Sequence, residues 1–130
     1  MLMAIPSESQ SRPQQLSRAE PIHAILVAED PFISTFLRAV LQRHGHKVIL
    51  SDPYRATDSM RSGELKTAVV ITNNPEVFLP FADTLPMLYI AANPDPELAQ
   101  RFHACRILRK PFRNEDLLEA VQELIPLVIP

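Results

Sequence analysis

The stretch Ile25-Leu26-Val27-Ala28-Glu29-Asp30 constrains this chain most. Four small or apolar residues run straight into two adjacent carboxylates. A continuous apolar run of this length suits a strand covered on both faces, as in a parallel sheet. Side chains alternate along a strand, so Glu29 and Asp30 cannot both enter a core. Their expected place is just past the carboxyl end of the strand, where open α/β sheets bind their ligands.

The same signal recurs. Lys47 to Leu50, Ala68 to Ile71 and Met87 to Ala92 read as strands, and Arg106 to Arg109, with polar flanks, reads as a fifth strand at an edge. Helical patterns fall between them. Pro31 is placed to open a helix whose apolar residues Phe32, Ile33, Phe36, Leu37, Val40 and Leu41 share one face, and Gly45 stops it. Pro53 to Arg61 predicts a weak second helix closed by Gly63. Thr72-Asn73-Asn74-Pro75 is a turn, and Glu76 to Asp83 allows a helical turn or two, interrupted by Pro80. Asn93-Pro94-Asp95-Pro96 starts a helix carrying Leu98, Phe102 and Cys105. Asn114 reads as the N-cap of a last helix, with Glu115 and Asp116 favourable to its dipole and Leu117, Leu118, Val121, Leu124 and Ile125 on its apolar face.

Five strands alternating with helices imply a three-layer α/β domain with right-handed crossovers and helices on both sheet faces. The strand order 2-1-3-4-5 of flavodoxin-like folds puts a crevice between strands one and three. The loops carrying Glu29-Asp30, Thr72-Asn73-Asn74, Ala91-Ala92 and Lys110-Pro111 converge there.

Composition narrows the partners. At 130 residues and 46% hydrophobic, the chain makes one domain with a real core. A net charge of −2 gives no basic excess, so no direct nucleic-acid partner is expected. One cysteine, Cys105, fits a reducing cytoplasmic setting. No apolar run approaches a membrane span, and Met1 to Ile5 is too short for a signal-peptide core. Thirteen prolines against two glycines punctuate the elements. Residues 1–21, rich in Ser, Gln, Pro and Arg, read as a flexible arm; residues 22–126 form the domain. The apolar tail 127–130 would pack on the domain or a second subunit, or mark a cut from a longer protein.

With these landmarks in place, the chain resembles bacterial response-regulator receiver domains over about residues 23–125. The acidic pair Glu29-Asp30 followed by Pro31, and Leu108-Arg109-Lys110-Pro111-Phe112 after strand five, carry the resemblance. It implies Mg²⁺ held by the acidic pair and an aspartate at the end of strand three accepting a phosphoryl group. It also implies a Ser or Thr after strand four, a lysine contacting the phosphoryl group, an aromatic switch in strand five, and often a cis bond before Pro111. Glu29, Asp30 and Lys110 match. The acceptor position falls on Thr72, or on Asn73 if the register slips by one, the hydroxyl position on Ala91 and the switch position on Ile107. The stretch from Thr72 to Pro86 is short for the family, so helix three is expected to be reduced or irregular.

A threonine hydroxyl without an activating base is a poor nucleophile, and asparagine is worse. With Thr72 or Asn73 offering only neutral oxygens, Glu29 and Asp30 would make a weak Mg²⁺ site at best, or a residual acidic cluster whose pKa values Lys110 lowers. No other cofactor and no small-molecule substrate is expected. His44 and His46 read as a solvated loop, and Cys105 as a small packed residue. The sequence therefore predicts a pseudo-receiver that is not an enzyme. It would meet a protein partner, either a histidine kinase or a downstream signalling protein, with a homodimer as a further arrangement. Arg101, Arg106, Ile107, Arg109 and Arg113 around strand five form the expected contact surface. Two rivals stand beside this reading: a working receiver phosphorylated on Asp30 or Asp52, and a small flavin- or nucleotide-binding domain. The latter lacks the phosphate cradle such domains carry after strand one.

Overall fold

Apolar runs covered on both sides dictate the architecture of the computed structural model, which describes residues 23–125; the expectations for the arm and the tail fall outside this span. The strands are β1 (His23–Ala28), β2 (Val48–Leu50), β3 (Lys66–Thr72), β4 (Met87–Ala91) and β5 (Cys105–Arg109). They form one parallel sheet in the order β2-β1-β3-β4-β5, as expected. β5 is an edge strand. Helix α1 (Pro31–Arg43), helix α2 (Pro53–Arg61), a 3₁₀ helix (Pro75–Phe81), helix α3 (Pro96–Gln100) and helix α4 (Asn114–Leu124) connect them.

Two apolar layers sandwich the sheet. On one side Leu37, Val40 and Leu41 of α1 meet Leu117, Ala120, Val121 and Leu124 of α4 over Ile25, Val27, Ile71 and Ile90. On the other, Ala56, Phe78, Ala99 and Phe102 cover Leu26, Val70, Met87 and Tyr89. Alternation along β1 sends Ile25 and Val27 to one layer and Leu26 and Ala28 to the other. Each fully buried large aliphatic contributes roughly 1.5–3 kcal/mol.

Local chemistry sets the helix ends. Asp30, Asp52 and Asp95 each precede a proline and cap the following helix. Asp30 Oδ1 accepts from the N–H groups of Phe32 and Ile33 at 3.1 Å, and Asp52 Oδ1 from Tyr54 at 2.7 Å. Asp95 Oδ1 accepts from the Glu97 N–H at 3.0 Å. Proline at the first helical position loses nothing there, because its missing N–H would be unpaired anyway. The two glycines, Gly45 at φ 88° and Gly63 at φ 85°, take the left-handed turn that ends α1 and α2.

Four expectations need correction. The inner face of α1 is narrower than its apolar stripe: Phe32 is 82% and Phe36 42% exposed, while Ser34 is buried. Five apolar or small residues already fill that side, so the two aromatics are left outside. The helix after β4 closes at Gln100; Phe102 packs beyond it and Cys105 opens β5. β3 begins earlier than Ala68, at Lys66. The N-cap of α4 is Arg113 rather than Asn114, because the Asp116 carboxylate reaches back to the Arg113 N–H at 3.4 Å. The reduced third helix is the 3₁₀ segment, with Pro80 inside it.

Candidate functional site

β1 and β3 end side by side, with Ala28 paired to Thr72. Thr72 is completely buried, and its hydroxyl is fully engaged. It donates to the Ala28 carbonyl oxygen at 2.8 Å and accepts from the Asn74 N–H at 3.0 Å. The side chain at the acceptor position thus joins the two strands and starts the next turn. Asn73 beside it is exposed. On the far side, the Lys110 N–H donates to the Ala91 carbonyl oxygen at 3.0 Å, and Ala91 brings only a methyl group to the crevice rim.

The acidic pair divides. Asp30 turns outward and caps α1. Glu29 turns in: its side chain is wholly covered, with Oε1 accepting from the Asp30 N–H at 3.3 Å and Oε2 3.6 Å from Lys110 Nζ. Oε2 has no hydrogen-bond partner, so the lysine meets it as a charge. Burial pushes the Glu29 carboxyl above its ordinary value, and the Lys110 ammonium only partly offsets this. Lys110 lowers the carboxyl as expected, but desolvation outweighs the ion pair. Lys110 precedes Pro111 through a cis bond, as the resemblance implied.

This donor set does not fit a magnesium ion. Magnesium asks for an octahedron of oxygens with carboxylates at its base. One carboxylate here faces an ammonium group, the second caps a helix through Oδ1, and the hydroxyl between the strands already makes two hydrogen bonds. Among the described residues no three His, Cys, Asp or Glu side chains gather as a metal cluster.

The predicted contact residues around β5 are less uniform than their charges suggest. Arg106 is paired with Glu123, and the Arg113 guanidinium lies 3.6 Å from Asp116. Arg109 is exposed, and Ile107 is half-buried. Arg101 lines a cleft of about 410 Å³ between the 3₁₀ helix and α3, together with Glu76, Asp95 and Glu97. Sequence reasoning missed this cleft, since its walls come from segments too short to show a helical period. Asp52, a rival acceptor, caps α2 and shares the lining of a cleft with Glu29. Cys105 is half-buried with its thiol pushed up to about 11 by burial, so it stays protonated. His46 is shifted down by burial and by His44.

No family model and no curated protein matches the chain. Solved structures do. The chemotaxis response regulator CheY4 of Vibrio cholerae is 21% identical with a TM-score of 0.63, the match covering 79% of this chain and 99% of that one. A response regulator receiver protein from Sinorhizobium medicae is 21% identical with a TM-score of 0.65, over 82% and 96%. The pseudo-receiver domain of the CikA protein is 25% identical with a TM-score of 0.58, over 83% and 98%. The fold is that of receiver domains, and the chain spans nearly the whole length of each of these neighbours.

Proposed function

We propose that this chain is a receiver-like signalling module of the two-component type that works by binding a protein partner and is not itself phosphorylated. The receiver fold of its neighbours supports the first half. One observation carries the second: the hydroxyl at the acceptor position is buried and committed to Ala28 and Asn74. Phosphoryl transfer needs a nucleophile exposed to the donor, a metal to neutralise charge and a group to receive the phosphate oxygens. The acidic pair and Lys110 are present, but the acceptor position offers only a hydroxyl already held in two hydrogen bonds. On this reading the domain catalyses nothing, and its partner is a histidine kinase or a downstream signalling protein met through Arg101, Arg106, Ile107, Arg109 and Arg113.

Incubation with acetyl phosphate and Mg²⁺, followed by intact-mass measurement, tests it. The expected spectrum shows no adduct, and a stable single phosphoryl group would overturn the reading. Borohydride trapping would then locate the group, with Asp30 and Asp52 the residues to inspect. Both already serve as helix caps, which weighs against them.

A further inference from the structure

The outer surface of α1 and α4 carries an apolar stripe, and the two helices are of opposite charge. Phe32, Phe36, Ala39 and Arg43 recur at i, i+4, i+7 and i+11, a single outward stripe along α1. All four are exposed, Phe32 at 82%. The stripe continues across the surface, because the Phe36 ring sits 6.5 Å from that of Phe112 in the loop before α4. Half-buried Leu118 of α4 packs on the same layer.

The charges of the two helices are sorted. α1 carries Arg38 and Arg43 and no acid; α4 carries Glu115, Asp116, Glu119 and Glu123 and no base. Helix dipoles account for Arg43 at the end of α1 and for Glu115 and Asp116 at the start of α4. They do not account for Arg38 or Glu119 in mid-helix. Glu123 and Asp116 are taken by Arg106 and Arg113, but among the described residues Arg38, Arg43, Glu115 and Glu119 form no ion pair.

We infer that this face is a two-fold interface between two copies of the chain, with α1 of each lying along α4 of the other. A two-fold contact presents the same patch from both sides. An axis across the helices would set α1 against α1, arginine facing arginine. An axis along the helices sets basic α1 against acidic α4, twice by symmetry, with the phenylalanines between. Charge complementarity selects the second arrangement. The inference is independent of the phosphorylation state of the crevice and uses the face opposite the cleft that Arg101 lines.

Sedimentation of the full chain tests it, with three altered chains. Phe32 is exposed, so Phe32→Ser leaves the core intact; circular dichroism checks this. The expected result is a concentration-dependent dimer, weakened about tenfold or more by Phe32→Ser. A chain with Arg38→Glu and Arg43→Glu, and another with Glu115→Lys and Glu119→Lys, are each expected to lose the dimer alone and to recover it on mixing. If α1 met α1 instead, the first of these chains would dimerise as before. A chain monomeric up to about 0.5 mM, a dimer indifferent to Phe32→Ser, or a mixture that does not reassociate would each overturn the inference.

Discussion

The two faces of the sheet differ in how their helices are made. One is covered by α1 and α4, of 13 and 11 residues; the other by α2, the 3₁₀ helix and α3, of 9, 7 and 5 residues. The residues that match the receiver pattern lead into the first face: Glu29 and Asp30 into α1, Lys110 and Pro111 into α4. The departures lead into the second: Thr72 and Asn73 into the 3₁₀ helix, Ala91 into the loop before α3. The departures from the receiver pattern and the shorter helices thus occupy the same side of the crevice. The loop after β3 leads straight into a segment containing Pro75 and Pro80, and Thr72 holds its start to β1.

The comparison can be broken most sharply at Phe78. It is the largest wholly buried side chain, and it sits on the face with the least helix around it. Phe78→Ala should cost about 3–5 kcal/mol in urea denaturation. A cost below about 1 kcal/mol would mean that this side is already loose, and the contrast would be one of order rather than of construction.

Thr72→Val comes next. It keeps the shape but leaves the Asn74 N–H and the Ala28 carbonyl oxygen without their partner, and should cost about 1–3 kcal/mol. Thr72→Ser should recover most of that loss, since the hydroxyl rather than the methyl is what joins the strands. Faster amide exchange at Asn74 in the valine variant is the local readout.

On the other face, Lys110→Met should cost about 1–2 kcal/mol at neutral pH, by leaving the covered Glu29 carboxylate without a cation. The pH dependence has a definite sign. Glu29 titrates above its unfolded value, so the folded state holds that proton more tightly. Its contribution to stability is fully present below the unfolded value and lost as pH rises through the folded one. The methionine variant should therefore approach the wild type as pH falls through that window, and Glu29→Gln should remove this part of the pH dependence. Smallest, Asp95→Ala should cost about 1 kcal/mol and Asp30→Ala about the same, read from thermal unfolding. A much larger loss at Asp30 would mean that it does more than cap α1.

Much of this molecule is legible in its sequence, for a physical reason. Strands such as Met87 to Ile90 are buried on both sides, so their apolar runs are unbroken. Pro31, Gly45 and Gly63 mark helix ends through backbone geometry that few other residues supply. What stayed hidden depends on partners far away along the chain. Nothing local to Thr72 says that its hydroxyl reaches Ala28, 44 residues earlier. The pairing of Asp with Pro at three helix starts is visible, yet Asp30 reads equally well as a metal ligand until its N–H partners are known. Phe32 falls on the apolar stripe by spacing, and only the finished packing shows that the inner face was already full. The direction of the Glu29 shift turns on the depth of its carboxylate, which a sequence does not state.

The bond between Thr72 and Ala28 bears on how such a domain could inform its surroundings. A regulator that is charged and discharged reports the recent past, because its shape has a lifetime. On the proposed reading, a domain whose strands are tied together by a hydroxyl keeps no such clock. Its message would lie in how many copies are made and where they are held, and a cell would erase it only by dilution or destruction.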